Sequence, residues 1–131
     1  MPPYTALVTV LAILLYFYTG FRVPRARRKF GVAAPATTGN PDFERVFRVQ
    51  MNTLEWMPIF LPLLWLFAYY DSDIGAAVLG LVWIAARLYY MVSYTNAAAK
   101  RGPGFAIQAL VCAVLLIGAL IGIIASLMHS G

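Results

Sequence analysis

The stretch ERVFRVQMNTLEW, residues 44–56, places several polar side chains directly before a long uncharged run. On a helix, spacings of three, four and three residues put Arg45, Arg48, Asn52 and Glu55 along one face. Glu55 follows Glu44 by eleven residues, about 16 Å along a helix axis. Guanidinium and amide groups donate hydrogen bonds to anions. This face therefore predicts one wall of an anion-binding cleft inside a membrane span.

A second polar face is predicted further along the chain, where Arg87, Tyr90, Tyr94 and Arg101 are spaced by three, four and seven residues. Arg87 precedes Arg101 by fourteen residues, about 20 Å along the axis, a depth similar to that of Glu55. Charges this deep in a bilayer normally find a partner. We therefore expect Glu55 and Arg87 to form an ion pair. The alternative is that the Glu55–Arg87 pair only stabilises the helix bundle and that Tyr90 and Tyr94 are ordinary packing residues.

The composition fixes the class of protein that carries these two faces. The chain has 131 residues, of which 62% are hydrophobic and 11% are charged, whereas soluble domains average roughly 25% charged residues. The net charge of +5 does not indicate nucleic-acid binding, because the basic residues lie between apolar runs. We predict an all-α integral membrane four-helix bundle in a single domain, residues 1–131. Its spans cover about 3–23, 43–70, 74–99 and 104–128.

The connections between the spans differ strongly in charge. Residues 24–42 and 100–103 carry basic side chains, whereas the turn at 71–73 carries two aspartates and no basic residue. The positive-inside rule places the two basic connections in the cytoplasm and both termini on the opposite side. The short chain indicates a bacterial inner membrane. A single cysteine, Cys112, excludes an intrachain disulfide and is expected to be a buried apolar residue.

The segment FERVFRVQMNTLEWMPIF, residues 43–60, resembles the MAPEG family, membrane-associated proteins in eicosanoid and glutathione metabolism. ARRKFGV and TTG precede it, and ARLYYMVSY and Arg101 follow it. The first and fourth spans match the family only in hydrophobicity. The resemblance implies a homotrimer and glutathione as co-substrate, with no metal. It also implies that glutathione lies between subunits, contacted by the first two spans of one subunit and the third span of the next.

The resemblance also implies roles for individual residues. Arg101 would activate the glutathione thiol, and Arg28 would donate a proton. Trp56 stands where the family often has tyrosine, and Arg87 would be a structural or ligand-supporting arginine. The implied glutathione contacts are Arg27, Arg48, Gln50, Asn52, Glu55, Tyr90, Tyr94 and Arg101.

The chemistry of glutathione suggests how these residues would divide the work. Planar guanidinium groups suit carboxylates, so Arg27 and Arg48 are expected to clamp them, and Glu55 to hold the ammonium group. Arg101 stays protonated and would therefore stabilise the thiolate as a fixed cation.

The resulting prediction is a membrane glutathione S-transferase of detoxification or lipid metabolism. It would conjugate lipophilic electrophiles that enter from the membrane lipids, or reduce lipid hydroperoxides as a glutathione peroxidase. The alternative is a non-catalytic lipid- or glutathione-binding scaffold of the same family. A transporter is less well supported, because no inverted repeat is visible.

Overall fold

Four long helices build the chain, as the sequence predicts. The computed structural model describes residues 1–130, apart from the side chains of residues 98 and 99; Gly131, the last residue of the predicted domain, lies outside it. The helices are α1 (Pro3–Phe30), α2 (Pro41–Tyr70), α3 (Asp73–Asn96) and α4 (Gly102–Ser130), with a 3-10 turn at Ala98–Arg101. Each α-helix is long and apolar enough to cross a membrane. The predicted class, an all-α bundle with four candidate spans, is confirmed.

Local sequence signals set the helix ends. The side chain of Asn40 accepts a hydrogen bond from the Phe43 amide at 3.0 Å, and Ser72 does the same for Gly75 at 2.9 Å. Both are typical N-caps. At the other end of α1, Gly31 adopts a left-handed conformation with φ of 70°. Glycine takes this conformation without steric cost, which closes the helix before the connection to α2.

The first helix is longer than the sequence predicts. It continues past Pro24 to Phe30, so Arg25, Arg28 and Lys29 lie on its last turns and not in a loop. A proline removes one backbone hydrogen bond, and here it does not end the helix. Basic residues in a last turn complement the helix dipole, which favours this extension. The third span is shorter than predicted, since α3 ends at Asn96.

Aromatic packing joins α2, α3 and α4 in the core. The Phe60 and Trp83 rings stack with centroids 3.9 Å apart and planes 5° apart. The Trp83 indole donates a hydrogen bond to Oε1 of the fully buried Gln108 at 3.0 Å. Further along α4, Gly118 leaves the space that the Phe67 ring occupies, because an added Cβ would lie 2.4 Å from it. Gly118 thus permits a close approach between α4 and α2.

Polar contacts hold α1 beside α3 at both ends. Near the N-terminus, the Thr5 amide and hydroxyl donate to Oδ1 of Asp73 at 2.8 and 2.7 Å. Near the opposite end, Nη2 of Arg22 donates to the hydroxyl of Thr95 at 3.1 Å. Since the start of α1 meets the start of α3, the two helices run in the same direction.

Candidate functional site

Both predicted polar faces line one cavity of about 290 Å³. Its lining residues are Arg48, Asn52, Tyr90, Arg101 and Phe105. Arg48 and Asn52 come from α2, Tyr90 comes from α3, and Arg101 ends the 3-10 turn before α4. One chain therefore supplies both walls of this cavity, and the contact of glutathione with the third span of a neighbouring subunit stays a prediction. The two walls meet because the tight turn at Ser72 makes α2 and α3 antiparallel neighbours.

The wall on α2 carries an ion pair between Arg48 and Glu55. The guanidinium and carboxylate lie 3.2 Å apart, and their side chains are 50% and 55% exposed. An ion pair this exposed contributes little to stability. Breaking this pair so that each group can bind a charged ligand therefore costs little free energy. Arg48 also borders an adjoining cavity of about 440 Å³, which Tyr94 lines as well.

The predicted ion pair between Glu55 and Arg87 is wrong within the chain. Arg87 is only 1% exposed and instead donates to Oδ1 of Asn52 at 2.8 Å and to the hydroxyl of Thr53 at 2.7 Å. Glu55 lies on the exposed face of α2, and Thr53 lies on the buried side. Neutral side-chain oxygens of α2 thus accept hydrogen bonds from both Nη atoms of the deep cation, while its buried Nε has no hydrogen-bond partner among residues 1–130. Depth alone did not reveal these partners.

Arginines lie beside each ring of a tyrosine stack on α3. The rings of Tyr90 and Tyr94 stack with centroids 5.5 Å apart and planes 16° apart. The Arg87 guanidinium lies 4.6 Å from the Tyr90 centroid, and that of Arg101 lies 5.9 Å from the Tyr94 centroid. Such cation–π contacts orient a guanidinium against an aromatic face. The spacing of these residues predicted one helix face, and their mutual stacking is an additional finding.

Gly104 positions the start of α4 and was not recognised from the sequence. A Cβ at Gly104 would lie 2.7 Å from the backbone nitrogen of Tyr90, so only glycine lets α4 approach α3 this closely. The approach places Phe105 in the cavity lining and against Trp56, with ring centroids 5.5 Å apart. Trp56 thus supports the cavity through Phe105. The glycines on either side of Pro103 were the available signal.

Three predicted site residues lie away from this cavity in the chain. Nη1 of Arg27 donates to the carbonyl of Ala36 at 2.7 Å, and its guanidinium lies 4.8 Å from the centroid of the Phe43 ring. The Gln50 amide lies beside Gly20 on α1. Arg28 lines a separate cavity at the end of α1.

Arg45 also turns away from the cavity of about 290 Å³. It pairs with Asp42, and its Nε donates to the carbonyl of Thr95 at 3.1 Å. Arg45 thus connects the start of α2 to the end of α3. Of the two arginines on this face, Arg48 is the one that lines the cavity of about 290 Å³.

The arrangement suits an anionic ligand. Two guanidinium groups and one amide converge on the smaller cavity, and the positive end of the α4 dipole lies beside Arg101. Within residues 1–130, no group of three or more histidine, cysteine or acidic side chains is placed to hold a metal ion. Cys112 is buried, as expected, and lies in the bundle core.

Comparisons with known proteins identify the family of this chain. Residues 5–121 match the model of the MAPEG family. An uncharacterised protein of Synechocystis sp. is 53% identical, covering 91% of this chain and 87% of its own length. Microsomal glutathione S-transferase 2 of Homo sapiens is 43% identical over 88% of this chain and 79% of its own length. Leukotriene C4 synthase of Bos taurus is 44% identical over 73% of this chain and 64% of its own length. The chain therefore belongs to the MAPEG family.

Proposed function

We propose that this protein is a membrane-bound glutathione S-transferase. The observation that carries the proposal is the cavity lined by Arg48, Asn52, Tyr90 and Arg101, which gathers hydrogen-bond donors and positive charge within an apolar bundle. The names of two relatives, a microsomal glutathione S-transferase and a leukotriene C4 synthase, support the same chemistry.

Recognition of glutathione would use the ion pair on α2. Glutathione carries two carboxylates and an ammonium group. Arg48 would donate hydrogen bonds to one carboxylate, and Glu55 would accept them from the ammonium group. The carboxylate of glutathione would replace Glu55 beside Arg48, and its ammonium group would replace Arg48 beside Glu55. Neither side chain would then be left without a partner of opposite charge. The Asn52 amide and the hydroxyls of Tyr90 and Tyr94 would supply further hydrogen bonds.

Activation of the thiol would depend on Arg101. A fixed guanidinium beside a thiol favours the thiolate and lowers the pKa of the thiol. The N-terminus of α4 adds a second positive potential at the same place. The thiol proton passes to solvent water, because its pKa is lowered, and Arg101 keeps its own proton and acts as a fixed charge.

The second substrate would be a lipophilic electrophile that enters from the bilayer. The thiolate sulfur forms a thioether bond with the electrophilic carbon, and the displaced group leaves with the bonding electron pair. With a lipid hydroperoxide, the sulfur instead attacks the terminal oxygen and releases the alcohol, and a second glutathione converts the sulfenic acid to the disulfide and water. Arg28 would donate a hydrogen bond to the departing oxygen.

A homotrimer would complete the site. In one chain the α2 wall is half exposed, while Arg27, Arg28 and Gln50 lie elsewhere. A neighbouring subunit would cover the open side with the end of its α1, which carries Arg27 and Arg28, and with the Gln50 side of its α2, and would bring these residues to glutathione. Native mass spectrometry in detergent tests this assembly, and a population of monomers or dimers alone would contradict it.

The basic connections are proposed to face the cytoplasm of a bacterial inner membrane. The two clusters on residues 22–29 and 100–101 support this orientation through the positive-inside rule. In a Cys112→Ala background, the Ser72→Cys variant should react with an impermeant maleimide added from outside. The Lys100→Cys variant should not react. The opposite labelling pattern would reverse the orientation.

The decisive experiment compares wild-type protein with Arg101→Ala. We expect wild type to bind glutathione, to show thiolate absorbance near neutral pH, and to conjugate glutathione to an aromatic electrophile. Arg101→Ala should lose on the order of 10²-fold in kcat, since it removes the charge that stabilises the reacting anion. The neighbouring Lys100→Ala is the matched control and should retain activity.

The outcomes separate the enzyme from the scaffold. If wild type forms no thiolate and binds no glutathione, the transferase proposal fails. If it binds glutathione tightly without turnover of any electrophile or hydroperoxide, the non-catalytic scaffold of the same family becomes the better function.

A further inference from the structure

A larger cavity of about 930 Å³ lies at the end of α1 and shares Arg28 with the glutathione site proposed above. We call it the α1 basic cavity. Its charged and polar lining includes Tyr18, Arg22, Arg25, Arg28, Lys29 and Asp42. It lies between the last turns of α1, the start of α2 and the end of α3, since Thr95 and Asn96 also line it.

The charge of this cavity is unbalanced. Four cations face one carboxylate, that of Asp42, and this carboxylate is paired with Arg45. Within the described residues, the other ion pair joins Arg48 to Glu55, so neither ion pair involves the four cations of α1. A cluster of like charges is stabilised by an anion that several of them share.

Arg22 provides a specific hydrogen-bond donor in this cavity. Its Nη2 donates to Thr95, whereas Nη1 is buried and has no hydrogen-bond partner among residues 1–130. A buried N–H without an acceptor costs free energy. An anionic oxygen placed in the cavity would reach Arg22 after a small side-chain movement and would satisfy this donor.

The cations continue a lipid-facing stripe of α1. Spacings of three and four residues place apolar, then aromatic, then basic side chains along one helix face, in the order Leu11, Leu14, Tyr18, Arg22, Arg25 and Lys29. The first three are 37%, 55% and 49% exposed. On the parallel helix α3, Leu88 and Val92 are also exposed, below Thr95 and Asn96. The stripe therefore changes from apolar to cationic along the direction of the membrane normal.

We propose that the α1 basic cavity binds the headgroup of an anionic phospholipid. The phosphate lies among Arg22, Arg25 and Lys29, Tyr18 lies at the level of the glycerol, and an acyl chain follows the apolar stripe of α1. A soluble phosphate ester would use the cations but would leave the apolar stripe unused. The site needs no glutathione, so its failure would leave the proposed transferase activity untouched.

Lipid titration of the purified, delipidated protein tests this site. Native mass spectrometry in a neutral detergent would compare phosphatidylglycerol with phosphatidylcholine of the same chains. We expect wild type to prefer phosphatidylglycerol and Arg22→Gln/Arg25→Gln to lose on the order of tenfold in affinity for it, because the headgroup phosphate loses two of its cationic partners. Single neutralisations at Arg25→Gln and Lys100→Gln form a matched pair, and only the first should weaken binding.

Four results would overturn the proposal. Equal affinity of wild type for the two lipids, or an unchanged preference in the double variant, would exclude a specific headgroup site. Glycerol 3-phosphate that competes as well as the lipid would show a site for a soluble anion. If the double variant does not fold, a photoactivatable phosphatidylglycerol decides on wild-type protein: labelling within residues 11–29 supports the site, and labelling confined to α4 contradicts it.

Discussion

The two ends of the bundle use their polar residues in opposite ways. At the end with the acidic turn, Asp73 accepts three hydrogen bonds of 2.7–3.2 Å from Tyr4 and Thr5. At the basic end, the cations of α1 and Arg101 have no carboxylate partner among the described residues. Paired groups stabilise the folded chain, and unpaired charges near a cavity are free to bind ligands. Under the proposed function, charge at the basic end would serve ligand recognition more than folding.

The largest expected effect comes from Gly104→Ala at the basic end. The added methyl group would lie 2.7 Å from the backbone of Tyr90, so α4 must move away from α3. Overpacking of this kind typically costs about 1–3 kcal/mol, and the movement should also raise the KM for glutathione. Gly102→Ala is the matched control, because nothing lies within 4 Å of its added Cβ. Unfolding in detergent and steady-state kinetics measure both effects; equal behaviour of the two variants would contradict the close contact.

A smaller effect is expected from Thr5→Val at the opposite end. The fully buried Thr5 hydroxyl donates to Asp73 at 2.7 Å, and its loss should cost about 1 kcal/mol of unfolding free energy. Conjugation activity should not change, because this contact lies at the far end of the bundle. Thr38→Val makes the same chemical change at an exposed position and should be neutral. A loss of activity in folded Thr5→Val would show that the two ends are coupled.

The smallest expected effect is a coupling energy near zero between Glu55→Gln and Arg87→Met. Since Glu55 pairs with Arg48 and Arg87 contacts Asn52 and Thr53, the two losses in stability should add within about 0.5 kcal/mol. The pair Asn52→Ala and Arg87→Met should instead be non-additive. A strong coupling between Glu55 and Arg87 would restore the ion pair that the sequence predicted.

Helical spacing explains why much of the site could be predicted. Arg48 and Asn52 were assigned to one face of α2 and Tyr90 to one face of α3, because residues three and four apart share a helix face, and these three line one cavity. Arg101 lines it too, but from the 3-10 turn beyond the end of α3, where its helical spacing does not apply. The four helices followed from long apolar runs. These features depend on local geometry, which a sequence specifies directly.

The features that were missed depend on contacts between helices. The partners of Arg87 could not be chosen from depth alone, because α2 offers a carboxylate and neutral oxygens at nearly the same height. The end of α1 was placed too early, since a proline and a basic cluster also fit a loop. Gly104 was overlooked because its importance depends on how closely α4 approaches Tyr90.

The hydrogen bond from Arg87 to Asn52 has a consequence for selectivity. It occupies Oδ1 of the Asn52 amide and leaves the NH₂ group as the part that remains available to the cavity. Together with Arg48 and Arg101, the amide then adds N–H donors to this part of the wall. A buried arginine that does not line the cavity thus shifts the balance of the wall from acceptors toward donors, which favours an anion over a cation of similar size.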